Sequence, residues 1–222
     1  IGCIPLLPDL RDEDAAALIV NPLTAMAMFE TVKKTESKSF ILTAANSQLC
    51  KLLVALGRDE GISPICIVRD IEQGKHLKEL GAVEVLDSSD VEFSKNLKSV
   101  VSALKPRIML DAVANQASAD IFMAMPSRSS WIIYGKLDST PPTIAEMGQF
   151  VFSEKVIEGF WLVRWFQKTD LGKQMQVIKS VQDRFVSEKW KTEVSKVLKF
   201  DEVMTGLPDA LKTGAKVMLI PK

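Results

Sequence analysis

The chain has 222 residues, 47% hydrophobic and 25% charged, with 28 basic side chains set against 28 acidic ones. That length can bury a proper core, in one large domain or a domain plus a fragment. The balanced charge argues against a nucleic-acid or polyanion partner, and no apolar run reaches the ~20 residues that a membrane helix needs.

The N-terminus lacks the charged and apolar regions of a signal peptide. Cys3, Cys50 and Cys66 are scattered, which fits free thiols in a reducing cytoplasm better than a disulfide framework. One histidine, His76, and three distant cysteines give no metal-ligand spacing, so no metal site is expected. His76 lies between Lys75 and Lys78 and reads as a surface residue.

Residues 1–20 read as a lead-in from a domain outside the chain, since Ile-Gly-Cys-Ile-Pro-Leu-Leu-Pro has neither helix nor strand period. Helical patterns follow at Asp12 to Ile19 and Pro22 to Lys34, the second with Asn21 as cap and Pro22 at its first position. Phe40, Ile41 and Leu42 form a short apolar run suited to a strand buried on both faces. Asn46 and Ser47 can satisfy the free N–H groups that open a helix, and Leu49, Leu52, Leu53 and Leu56 then form an apolar stripe. Ile65 to Val68 is a second continuous apolar run, completing a βαβ unit of about the usual ~30 residues.

In such a unit the first turn holds a dinucleotide's pyrophosphate and the end of the second strand meets the adenosine ribose. A carboxylate there accepts from a free 2′-hydroxyl, whereas a guanidinium pairs with a 2′-phosphate. This strand ends in Arg69, with Asp70 next, and reads as NADP rather than NAD. An exposed Arg on a surface loop would give the same letters.

The alternation continues. Ile71 to Leu80 reads as a helix stopped by Gly81, and Glu84 to Leu86 as a strand. Ser88 to Asp90 would cap a helix with Leu97, Val100, Val101 and Leu104 on one side. Ile108 to Val113, Ala117 to Met125 and Trp131 to Tyr134 read as strand, helix, strand. Pro141-Pro142 interrupts the pattern before a short helix and a sixth strand near Val156 to Trp161. Gly172 to Lys189 is helical, with Met175, Ile178, Val181 and Phe185 as its buried side. The expected fold class is α/β, a doubly wound parallel six-stranded sheet of Rossmann type over residues 21–194. Residues 195–222, strand Val197 to Phe200, helix Asp201 to Leu211 and strand Lys216 to Ile220, would be terminal segments of a truncated second domain.

Several pieces in order resemble the medium-chain dehydrogenase/reductase superfamily, and within it the zinc-free quinone reductases and trans-2-enoyl-CoA reductases. They are Ala15 to Ala25 around Asn21-Pro22, Ala44-Ala-Asn46-Ser47, Val68-Arg69-Asp70, Tyr134-Gly135, Gly159-Phe160-Trp161-Leu162, and Lys216 before Val-Met-Leu-Ile. The resemblance implies an NADP site. Asn21 would approach the nicotinamide, Asn46 and Ser47 the pyrophosphate, with Gln48 beside them, and Arg69 the 2′-phosphate. Tyr134 and Gly135 would run along the cofactor, Phe160 and Trp161 would flank the nicotinamide, and Lys216 would close the site. It also implies a small-molecule substrate and a homodimer paired edge to edge.

Two departures stand out. The family's turn has glycines where this chain has Gln48 and Cys50, and Gln48 could either offer its amide to a phosphate or fill the pocket. The barrel-like domain that precedes this one in the family, and holds the acid that protonates substrate, is expected to lie outside these residues. No catalytic residue is therefore assigned, and the chain alone is expected to be inactive. The resulting expectation is a zinc-independent, NADPH-dependent oxidoreductase reducing a quinone or an enoyl thioester double bond, here its cofactor-binding portion. The alternative is a non-catalytic module with a degenerate nucleotide site serving dimerisation or regulation. A methyltransferase is weaker, because an acidic residue would stand where Arg69 is. Tyr134 as a plain core residue, and Phe160-Trp161 with Trp165-Phe166 as core or dimer packing, remain open alternatives.

Overall fold

Apolar runs too short for helices, separated by helical stripes, have to pair with one another and be covered on both faces. A computed structural model, describing residues 3–211 and 216–221, shows that arrangement. The chain divides into two compact units, residues 24–171 and residues 1–23 with 172–222.

The elements in chain order begin with α1 (Asp12–Ala16), α2 (Val20–Lys34), β1 (Ser39–Leu42), α3 (Gln48–Glu60) and β2 (Ser63–Val68). Next come α4 (Ile71–Leu80), β3 (Glu84–Asp87), α5 (Phe93–Leu104), β4 (Ile108–Asp111), α6 (Gln116–Ala124) and β5 (Ser130–Ile133). They continue with α7 (Gly148–Phe152), β6 (Val156–Gly159), α8 (Leu162–Lys168), α9 (Leu171–Val186) and β7 (Val194–Lys199). A 3₁₀ turn (Phe200–Glu202), α10 (Val203–Ala210) and β8 (Lys216–Ile220) complete the described chain.

The first unit is built on a six-stranded sheet ordered β3-β2-β1-β4-β5-β6, every pairing parallel. All four residues of β1 and of β4 are buried, as strands in the middle of a doubly covered sheet must be. Phe122 and Trp131 pack at 5.5 Å in the core beneath α6. Lys155 is buried there too. Its ammonium donates to the Phe122 and Met123 carbonyls at 2.8 and 2.9 Å, so it satisfies the end of α6, and burial lowers its pKa to about 8.

The other unit has a buried carboxylate, Asp14, that accepts from the Thr192 N–H at 2.8 Å and pairs with Arg11. Gln182 is also buried and bridges the Leu7 N–H and the Pro5 carbonyl. β7 and β8 form a two-stranded parallel sheet, and Val197, Phe200, Met204 and Leu219 stay exposed around it.

Several boundaries shift for physical reasons. Asn21 does not cap α2, because the helix already begins at Val20 and takes Asn21 into its first turn. Asp90 does not cap α5: its carboxylate accepts from the Glu92 N–H to close a turn, and the helix starts at Phe93. β4 stops at Asp111 because the next N–H, of Ala112, donates to the Thr43 hydroxyl and those of Val113 and Ala114 turn back to the Asp111 carboxylate. Met175 is 42% exposed, since α9 buries Val177, Ile178, Val181 and Phe185 instead. His76 is half-buried with its Nε2 enclosed, not a plain surface residue. Helix α8 has no counterpart in the sequence reading.

Gly57 lets α3 lie close against the sheet. A Cβ there would meet the Ile62 carbonyl oxygen at 2.6 Å and Phe40 at 2.9 Å. Gly57→Ala should therefore destabilise by about 1–2 kcal/mol in urea unfolding, although alanine is the better helix former by about 1 kcal/mol. Equal or greater stability in the variant would contradict this packing.

Candidate functional site

The strand order reverses between β1 and β4, and the connections leaving their carboxyl ends go to opposite faces of the sheet. The gap between them is where open α/β sheets receive ligands. A crevice of about 890 Å³ opens there.

Its first wall is the turn from β1 into α3. Ala44 holds a left-handed backbone, φ 47°, and its carbonyl accepts from the Ser47 N–H. Ser47 caps α3, its hydroxyl accepting from the Cys50 N–H at 3.3 Å. Asn46 lines the crevice, and its Oδ1 is buried without a hydrogen-bond partner. The second wall is the end of β2, with Val68, Arg69 and Asp70, and Ser88 just beyond β3. The Asp70 carboxylate caps α4, accepting from the Glu72 N–H at 2.9 Å.

The third wall is the turn from β4 into α6. Ala114 is again left-handed, φ 57°, and Asn115 caps α6 by accepting from the Ser118 N–H. Non-glycine residues held in that region cost about 1 kcal/mol or more and persist only where surroundings enforce them. Here the enforcement is a buried carboxylate. Asp111 is fully buried, and one of its oxygens accepts from the Thr43 hydroxyl, the Ser118 hydroxyl at 3.1 Å and the Val113 N–H at 2.9 Å. The other accepts from the Ala114 N–H at 3.1 Å and the Trp131 indole N–H at 2.8 Å. One side chain thus ties β1, the β4–α6 turn, α6 and β5 together at the floor of the crevice.

Of the residues read from the sequence, the structure brings Asn46, Ser47 and Arg69 to this crevice. Gln48 is the first residue of α3 and is not among the lining residues, so its side chain does not fill the space. Tyr134 and Gly135 follow β5 but do not line the crevice. The Tyr134 hydroxyl lies 3.3 Å from Cys50 Sγ, and burial pushes both groups' pKa values up. Gly135 sits against β4's continuation, where a Cβ would meet the Ala112 carbonyl at 3.1 Å. Phe160 and Trp161 follow β6, the outer strand, two strands away from the reversal, and Trp161 is 65% exposed. Asn21 and Lys216 belong to the other unit. Ser88, Ser118 and Asp138 line the crevice without having been proposed for it. Their one sequence signal is position, a few residues past the end of an apolar run. Among the described residues no group of His, Cys, Asp and Glu could hold a metal ion, and no helix is long and apolar enough to cross a membrane.

No family model matches the chain. The mitochondrial enoyl-[acyl-carrier-protein] reductase of Yarrowia lipolytica is 30% identical over 167 residues, 72% of this chain and 43% of that protein. The Arabidopsis thaliana protein of the same name is 29% identical over 205 residues, 90% of this chain and 54% of its own length. A crystal structure from Mesorhizobium loti, bearing the name NADPH:quinone reductase, is 44% identical with a TM-score of 0.92. It matches 100% of this chain, which covers 63% of it. The chain spans about half the length of the curated relatives it matches.

Either orientation of an amide at position 111 would confront a backbone or indole N–H that cannot reverse. Asp111→Asn should accordingly cost about 2–3 kcal/mol in urea unfolding, against about 1 kcal/mol for Ser118→Ala. Near-equal costs would contradict the network. Buried Cys66 is likewise held neutral by burial, well above the ordinary thiol value of 9.0. Stability from a raised group is complete below that ordinary value and is lost as pH rises above it. The loss between about pH 8.5 and 10.5 should shrink in Cys66→Val, and an unchanged loss would contradict the assignment.

Proposed function

We propose, from the premise that this chain belongs to the medium-chain dehydrogenase/reductase superfamily, that it is the cofactor-binding portion of a zinc-independent oxidoreductase. The enzyme would use NADPH to reduce an activated double bond, in an enoyl thioester or a quinone. The observation that carries this reading is that Arg69 and the opening of α3 line one crevice at the strand-order reversal. A guanidinium matches a ribose 2′-phosphate, and the first N–H groups of a thirteen-residue helix match a pyrophosphate.

Asn46 and Ser47 would hold the pyrophosphate side and Arg69 the 2′-phosphate. Ala44 gives the turn its left-handed step without glycine. The Tyr134 hydroxyl beside Cys50 would support the turn into α3, and Phe160 and Trp161 would flank the nicotinamide end. When bound, the nicotinamide supplies hydride, and the chain's own part is to bind and orient it. The names of the relatives, enoyl-[acyl-carrier-protein] reductase and NADPH:quinone reductase, support the two substrate classes. A degenerate, purely structural module is disfavoured by the open crevice, which Gln48 leaves clear.

Residues 1–20 and 195–222 would belong to a second domain that holds the substrate acid, and the exposed apolar residues around β7 and β8 fit such a role. β6 forms the outer edge of the sheet, with Phe152 89% exposed nearby, and would pair two copies into a homodimer. Free cysteines fit a reducing compartment. Relatives named mitochondrial make that organelle the alternative to the cytoplasm.

Titrating the chain with NADPH and NADH, wild type beside Arg69→Ala, tests the reading. The substitution should weaken NADPH by at least ~1.5 kcal/mol, roughly tenfold or more, and leave NADH little changed. An equal response to both nucleotides would remove the case for a phosphate contact.

A further inference from the structure

Among the described residues, three charged side chains line the crevice: Arg69, Asp70 and Asp138. Asp70 is engaged in capping α4. Asp138 is different, because its carboxylate is part of no helix cap and is nevertheless fixed in place. The segment that follows β5 runs back along the end of β4, with the Leu137 N–H donating to the Ala112 carbonyl at 2.9 Å and the Asp138 N–H to the Val113 carbonyl at 3.2 Å. The Asn115 amide donates to the Asp138 carboxylate at 3.1 Å, and the Thr140 N–H donates to its other oxygen at 2.9 Å.

Farther along, Gln116 clamps both backbone groups of Thr143, accepting from its N–H at 2.9 Å and donating to its carbonyl at 3.2 Å. The first turn of α6 therefore straps this loop beside the crevice and keeps Asp138 there. The Thr140 N–H, the Asn115 amide and, more weakly, the Arg69 guanidinium hold its carboxyl below the usual range.

Resting on the NADPH reading above, we propose that Asp138 is a specificity-determining residue. It is a fixed negative charge sharing the crevice with Arg69 that opposes a ribose 2′-phosphate and so narrows the preference for the phosphorylated dinucleotide. A 2′-phosphate carries close to two negative charges at neutral pH, whereas a 2′-hydroxyl carries none. Arg69 attracts the phosphate while Asp138 repels it and competes for the guanidinium. The unphosphorylated ligand meets neither effect.

The test is calorimetric binding of 2′,5′-ADP and 5′-AMP to wild type, Asp138→Asn and Asp138→Ser. Both variants should bind 2′,5′-ADP about threefold to tenfold more tightly, the scale of one partly screened unit charge, with 5′-AMP changed by less than about twofold. The gain should shrink toward nothing at about 0.5 M salt, which a change in loop structure would not do. Equal weakening of both ligands, or a gain insensitive to salt, would overturn the proposal by making Asp138 a structural strap alone. Selective weakening of 5′-AMP would overturn it by making the carboxylate a partner of the 2′-hydroxyl. Should wild type and both variants bind neither ligand at millimolar concentration, the nucleotide reading itself falls, and this inference with it.

Discussion

The crevice depends on a fully buried carboxylate held by five donors. Asp111 receives two hydroxyls, two backbone N–H groups and an indole N–H, from the end of β1, the β4–α6 turn, α6 and β5. Removing a charge from water is costly unless its lone pairs are filled, so these segments have one arrangement in which all are satisfied. That arrangement turns the chain out of β4 just past Asp111, holds Ala114 in the left-handed region and presents the start of α6 to the crevice. The Thr43 hydroxyl completes the circuit, donating to Asp111 and accepting from the Ala112 N–H at 3.0 Å. The two halves of the sheet are thereby joined at the place where a ligand would lie.

The turn from β1 into α3 achieves with alanine and cysteine what glycines do in the family it resembles. Ala44 takes the left-handed step. Cys50 fits under the helix because its small thiol packs between the Thr43 carbonyl and the Tyr134 hydroxyl, at 3.4 and 3.3 Å. The close approach of helix to sheet is made instead at the far end of α3, by Gly57. Tyr134 thus has a structural reason to sit where it does, supporting α3 through Cys50 beside the turn that leaves β1.

Most of the architecture was legible because it rests on local periodicity. The six strands of the main sheet and the helices between them are carried by apolar runs and stripes that need no distant partner to be recognised. The parallel order also follows from strict alternation. Arg69, Asn46 and Ser47 could be placed because the end of a strand and the start of a helix are both visible in the letters. What could not be read depends on contacts far apart in sequence. Asp111 looks like any acid at a strand's end until Thr43, Ser118 and Trp131 converge on it. Asp138 follows a loop whose course is set by Gln116 and Asn115. Asn21 and Met175 were misjudged by less than a turn of helix, an error that local pattern cannot correct.

The chain spans about half the length of the curated relatives it matches. Its crevice brings one cation and one helix opening around a shared space. A crystal structure of the chain with NADPH bound addresses that claim most directly. The account predicts density for the 2′-phosphate against Arg69 and for the pyrophosphate at the N–H groups that open α3. Nucleotide density elsewhere, or a crevice entered with Arg69 turned away from the phosphate, would contradict it.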